Sequence, residues 1–95
     1  MIRHIVFFQL PKDTTVTPDE LVKELMSMKG RVASLQEIEA GCDFSREERS
    51  YDVALITTFS DRNALRSYAS DPYHQEIISW IKQAGITSKV VDYEI

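Results

Sequence analysis

Arg3-His4-Ile5-Val6-Phe7-Phe8-Gln9-Leu10 decides the fold of this chain. β-branched and aromatic residues dominate the stretch and Pro11 closes it, which reads as a strand. Under the two-residue period of a strand, His4, Val6, Phe8 and Leu10 share one face, and Ile5 and Phe7 share the other. Both faces are therefore apolar. An antiparallel strand in a one-layer domain leaves one face polar. The second face here calls for a cover of its own, and a second subunit supplies one.

The remaining elements follow outward from that strand. Thr17-Pro18-Asp19-Glu20 starts a helix, with Thr17 as N-cap, Pro18 at the first helical position and Glu20 completing a capping box. Leu21, Leu25, Met28 and Val32 then recur at helical spacing, with Val22 and Met26 alongside. Leu35 to Cys42 reads as a second strand and Phe44 to Ser50 as a charged loop. Tyr51 to Phe59 reads as a third strand, apolar on both faces, with Val53 and Leu55 set against Ala54 and Ile56. Ser60 is placed to cap a helix carrying Ala64, Leu65 and Tyr68. Asp71-Pro72 interrupts that helix, because proline disfavours helical geometry in the residue before it. Asp71 then caps a renewed helix that runs to about Ala84 and stops at Gly85. Ser88 to Ile95 is the last strand.

The order is βαββαβ, an α+β ferredoxin-like unit spanning residues 1–95 as one domain. Such a unit carries both helices on one face of a four-stranded antiparallel sheet and leaves the other face bare. Here the bare face is hydrophobic, so the pattern predicts a homodimer joined sheet to sheet.

Composition bounds the function. Net charge is −4 with acids and bases interspersed, so the Lys/Arg patch that nucleic-acid binding needs is not visible. The longest apolar run, Ile5 to Phe8, is too short for a bilayer, and no membrane partner is expected. Met1-Ile2-Arg3-His4 reads as neither a signal nor a transit peptide. Cys42 is the only cysteine, which fits a reducing cytoplasm and a half-buried residue near a strand end rather than a nucleophile. With no glycine-rich phosphate loop, Cys-x-x-Cys or Gly-x-Ser-x-Gly, the sequence calls for no metal and no cofactor.

Candidate chemistry gathers around Tyr68-Ala69-Ser70-Asp71-Pro72-Tyr73-His74. His74 is the third residue after the Asp71 cap, where the positive end of the helix dipole disfavours imidazolium and favours the neutral ring a general base requires. Ile77, Ile78 and Ile81 follow at helical spacing, so His74 belongs to the buried flank. Tyr68 lies on the inward stripe of the preceding helix and is placed to stabilise an enolate-like oxygen. Two accounts stand: an acid/base pair, or a structural histidine that satisfies groups at the helix break. His4 alternates with Val6 and Phe8, either as an edge histidine bonded to a neighbouring strand or as part of a ligand pocket. That pocket would lie between helices and sheet and take in Leu25, Val53, Leu55 and Ile78 with Tyr68 and His74. Trp80 and Tyr73 read as packing residues. Asp92 and Glu94 alternate on the last strand, as a candidate cation pair or as solvated or seam residues.

Four segments carry a family resemblance. His4-Ile5-Val6-Phe7-Phe8 resembles the first strand of the stress-responsive dimeric α/β-barrel (Dabb) domain, and Tyr51-Asp52-Val53-Ala54-Leu55 its third. Asp71-Pro72-Tyr73-His74-Gln75 resembles its HPAHQ segment, and Val90-Val91-Asp92-Tyr93-Glu94-Ile95 its closing strand. The resemblance implies a homodimer whose two sheets form a joint barrel, and by itself implies no particular reaction. One plant branch of the family contains cofactor-independent polyketide cyclases that perform an intramolecular aldol condensation, using a histidine base beside a tyrosine. The matching positions are His74 and Tyr68, and His4 matches the first-strand histidine of that branch. Where that branch has a pocket histidine in the third strand and a pocket tyrosine in the first helix, this chain has Val53 and Leu25. Three classes of function follow: a stress-related dimer that binds a small molecule or performs no chemistry, a cofactor-independent cyclase, isomerase or lyase acting on a small carbonyl compound, and, by analogy of fold alone, a cofactor-free or haem-degrading monooxygenase.

Overall fold

Pro11 ends the first strand, β1 (Ile2–Gln9), at the centre of the molecule. In the computed structural model, which describes all residues from Met1 to Ile95, β1 is followed by α1 (Pro18–Met26), β2 (Glu37–Cys42), β3 (Val53–Phe59), α2 (Arg62–Ser70), α3 (Pro72–Gln83) and β4 (Thr87–Glu94). The sheet has the order β2-β3-β1-β4 and every pairing is antiparallel. This is the expected α+β ferredoxin-like arrangement, with the second helix in two pieces.

The pleat divides the residues as the alternation predicts. Ile2, Val6 and Phe8 of β1 are buried beneath the helices, together with Val53, Leu55 and Phe59 of β3. Leu21 and Leu25 of α1 and Ile77 and Ile81 of α3 close that core from above. On the opposite face, Ile5 pairs with Ile56 and Val91, and Phe7 pairs with Ala54. Phe7 remains 48% exposed and Val91 63% exposed, so one chain leaves this apolar face uncovered. No helix is long and apolar enough to cross a membrane.

Several local readings need correction. Thr17 does cap α1, its hydroxyl accepting from the Glu20 N–H at 3.1 Å. The Glu20 carboxylate, however, accepts from the Thr17 hydroxyl at 3.3 Å rather than from its backbone, so the capping box is not reciprocal. α1 ends at Met26; Met28 and Val32 are buried from the turns that follow, where Gly30 takes φ +80°. The cap of α2 is Asp61, not Ser60: its carboxylate accepts from the Ala64 N–H at 2.8 Å. Asp71 both ends α2 and caps α3, accepting from the N–H groups of Tyr73 (2.8 Å) and His74 (3.2 Å). Gly85, at φ +74°, closes α3. The paired bonds Ile86 N–H to Ile81 O (3.2 Å) and Gly85 N–H to Lys82 O (3.0 Å) form a Schellman end. That end sends the chain directly into β4, which is exposed along its whole length.

The charged loop after β2 is clasped rather than merely solvated. Arg46, at φ +49°, bonds Asp43 at 3.2 Å and Asp52 at 2.7 Å. The second Asp52 oxygen accepts from the Leu10 N–H at 2.6 Å, tying the loop to the end of β1. Cys42 is exposed, not half-buried. Its Sγ lies 3.4 Å from the Asp19 carboxylate. Local desolvation and that carboxylate push the thiol up, away from nucleophilic character.

Candidate functional site

Because α1 packs on β2 and β3, the space between α3 and the β1–β4 side of the sheet is left partly unfilled. It forms a cavity of about 560 Å³. His4, Val6 and Phe8 from β1, Leu25 from α1, Leu55 from β3 and Tyr68, His74 and Ile78 from the two later helices all line it. Eight of the nine residues expected at a pocket are therefore brought together. Val53 is the exception. It is 2% exposed and pairs with Phe8 and Cys42 at the β2 side of the sheet, where α1 covers it. Alternation predicts which face a strand residue takes but not how far along that face a cavity extends.

Three rings, His4, Tyr68 and His74, make up one end of the cavity, and Phe59 packs behind them. Tyr68, 2% exposed, lies between Phe59 (centroids 4.9 Å apart) and His74 (3.9 Å apart, planes at 30°). His4 meets Tyr68 edge-on at 5.9 Å. The break at Asp71 makes this stack possible. Restarting the helix there turns the His74 ring back over the last turn of α2, where Tyr68 lies.

The environment separates the roles of the rings. Burial pushes the His74 pKa down, and the nearby His4 adds to the effect, while the carbonyls of Ala69 and Tyr68 and the Asp71 carboxylate pull the other way. Those carbonyls do not reach hydrogen-bond geometry with Nδ1, which is buried and has no partner in the chain. Burial thus favours the neutral imidazole of His74, with Nδ1 enclosed by the chain. Burial pushes the Tyr68 phenol well above its ordinary value, so it keeps its proton and remains a donor.

His4 is held differently. Its Nδ1 hydrogen-bonds to Asp92 Oδ1, directly across the β1–β4 pairing. A carboxylate only accepts, so Nδ1 carries the proton and the bond fixes the orientation of the ring. His4 is consequently both a pocket residue and a histidine bonded to a neighbouring strand. The cation reading of Asp92 and Glu94 does not hold: Asp92 is engaged by His4, Glu94 is paired with Arg62 at 2.6 Å, and no three metal-ligating side chains come together. The role of Asp92 as the orienting partner of His4 went unforeseen. Counting the register from the two strand ends exposes it. Met28, Ile77, Ile81, Lys82, Ile86, Thr87, Ser88 and Val90 complete the lining; Met28, Ile77 and Ile81 were expected on buried helical stripes, and none of the eight was expected at the pocket.

A second concavity, of about 580 Å³, lies on the bare face of the sheet. Phe7, Ile56 and Tyr51 line it beneath the clasped loop, whose Phe44 is 92% exposed. It holds neither histidine.

The depressed His74 pKa has a sign that can be measured. The unfolded imidazole titrates at its ordinary 6.5, and the folded one titrates lower. As pH falls below about 6.5 the unfolded state binds more protons, so stability present above that pH is lost toward the folded value. Urea unfolding between about pH 5 and pH 7 should show stability rising with pH. His74→Phe, which keeps a ring on Tyr68, should flatten that slope.

Comparison with known proteins places the chain. The family described as Stress responsive A/B Barrel Domain matches residues 2–95. An uncharacterized protein of Streptomyces coelicolor is 29% identical over 99 residues, covering 99% of each chain. Among solved structures, a dimeric ferredoxin-like protein of unknown function from Bacteroides fragilis is similar at a TM-score of 0.83 and 21% identity, covering 99% of this chain and 95% of that one. The hydroxynitrile lyase of Passiflora edulis is similar at a TM-score of 0.83 and 20% identity, covering 99% and 92%.

Proposed function

The chain belongs to the stress-responsive A/B barrel (Dabb) domain family, and we propose that it works as a homodimer, joined through the bare sheet faces, in which each protomer takes a small apolar carbonyl compound into its cavity and moves a proton on it. One observation carries this reading: a cavity of about 560 Å³ is lined by a histidine that burial keeps neutral, stacked against a tyrosine that keeps its proton. Dimerisation is supported by the exposed apolar sheet face and by the dimeric Bacteroides fragilis relative. The hydroxynitrile lyase, at 20% identity, shares the fold alone.

In the proposed step, His74 takes the proton from the carbon beside the carbonyl. The bonding pair moves into the new carbon–carbon double bond, and charge gathers on the carbonyl oxygen. The Tyr68 hydroxyl donates a hydrogen bond to that oxygen, in apolar surroundings where such a bond has its greatest effect. His4, oriented by Asp92, lines the same end of the cavity. Imidazolium on His74 returns the proton to the product, so the step needs no oxidant and no metal.

Solvent deuterium exchange at the α-carbon of 2-decanone, followed by NMR, tests this reading. The wild type should accelerate exchange, with a rate that rises as His74 deprotonates and levels off by neutral pH. His74→Ala should lose about 100-fold or more of the acceleration, and Tyr68→Phe, which preserves the ring stack, about 100-fold. Melting temperatures should change little by comparison. Loss of stability without loss of exchange would assign both residues a structural role instead.

A further inference from the structure

The chain carries 15 acidic side chains against 11 basic ones, yet no carboxylate lines the cavity between α3 and the sheet. Its one permanently charged lining residue is Lys82, in the last turn of α3, and Lys82 takes part in no ion pair. Ser88, paired with Phe8 and so on the cavity face of the sheet, adds a hydroxyl at the same end. This second polar group lies away from the histidines. His74 and Lys82 are eight residues apart on one helix, or about 12 Å. On the sheet below, Ser88 pairs with Phe8 while Asp92 pairs with His4, a separation of about 13 Å along the strand. The Schellman end of α3 leads directly into Thr87, so helix and strand agree on which end is which. Between the two ends the walls are Val6, Leu25, Ile78, Ile81 and Val90.

We infer that the ligand of this cavity is an amphipathic oxo acid: a carbonyl at the His74–Tyr68 end, an apolar chain or ring along the middle, and a carboxylate at the Lys82 end. The inference rests on the cavity being the ligand site and adds the class of ligand. A single unpaired ammonium beside a hydroxyl suits a singly charged head group, and a spacer of about seven carbons, with about 1.3 Å of advance per bond, spans about 10 Å of the apolar wall between the two groups. The exposed position of Lys82 at the mouth keeps the carboxylate partly hydrated, so its contribution is selectivity more than raw affinity.

Isothermal titration calorimetry with 9-oxodecanoate and 2-decanone, which share the ketone and differ in the acid, tests it. The wild type should bind 9-oxodecanoate about fivefold more tightly than 2-decanone, with the difference shrinking as salt is raised. Lys82→Met keeps the apolar stem and should erase the preference, while Lys82→Arg should retain it. Equal binding of the two ligands by the wild type, or a preference that survives Lys82→Met, would overturn the inference and leave the carbonyl site standing. Failure of both ligands to bind, with no shift of the His74 imidazole resonances, would remove the site and the inference together.

Discussion

Aspartate at Phe7 or at Ile56 is expected to leave the protein unfolded or aggregated. Phe7 is 48% exposed in the single chain, beside Tyr51 with ring centroids 6.3 Å apart. Ile56 lies one step along on the neighbouring strand, next to Ile5. Covering such side chains contributes about 25 cal/mol per Å² of apolar surface removed from water, less the cost of association. A two-fold interface uses the same patch on both subunits, so one substitution introduces two charges into the buried seam. Each is taken out of water without a partner, at a cost of several kcal/mol. Light scattering after size exclusion and a thermal melt report the outcome. Phe7→Leu is the control and should remain dimeric. A well-folded monomer from either aspartate variant would sink the sheet-to-sheet arrangement.

Phe59→Ala should cost about 3–5 kcal/mol, a large share of the roughly 5–15 kcal/mol that holds a domain of this kind together. Phe59 is fully buried at the end of β3 and packs against both Tyr68 (4.9 Å) and His4 (6.5 Å). The backbone around it closes on itself and cannot collapse readily into the void, because β3 is held by strands on both sides. For a chain near this length the loss lowers the melting temperature by about 15 °C or more. The same change removes the support under Tyr68, so ligand binding should weaken along with stability. Phe59→Leu fills most of the volume and should recover most of both. Urea unfolding measures the first effect, and a loss below about 1 kcal/mol would show that Phe59 is not the support proposed.

The contrast between these residues shows how much was legible beforehand. Phe7 and Phe8 are neighbours in sequence, and the period of a strand alone sends one to the core and the other to the bare face. Asp71-Pro72 announces its own helix break through the restricted geometry before proline, and places His74 at a helix start. Asp92 is different. Its carboxylate orients His4 only because β4 pairs with β1 in one register, a relation between residues 88 positions apart. Ser60 and Asp61 are both good caps, and one residue of chain direction decided between them. Val53 shares a face with Leu55, yet α1 covers one end of the sheet and not the other.

Periodicity, caps and breakers act over a few residues, so the chain's own order determined the elements, the two apolar faces of the sheet, and the approach of His74 to Tyr68 across the Asp71 break. What fills a space, and what is left empty, depends on how elements distant in sequence pack. Only the tertiary structure decided that β4 stays exposed, that the cavity lies over β1 and β4, that Asp92 holds His4, and that Lys82 stands alone at the far end. Burial strips water from His74 and Tyr68 through that same packing, and there the fold turns two ordinary side chains into a candidate acid/base pair.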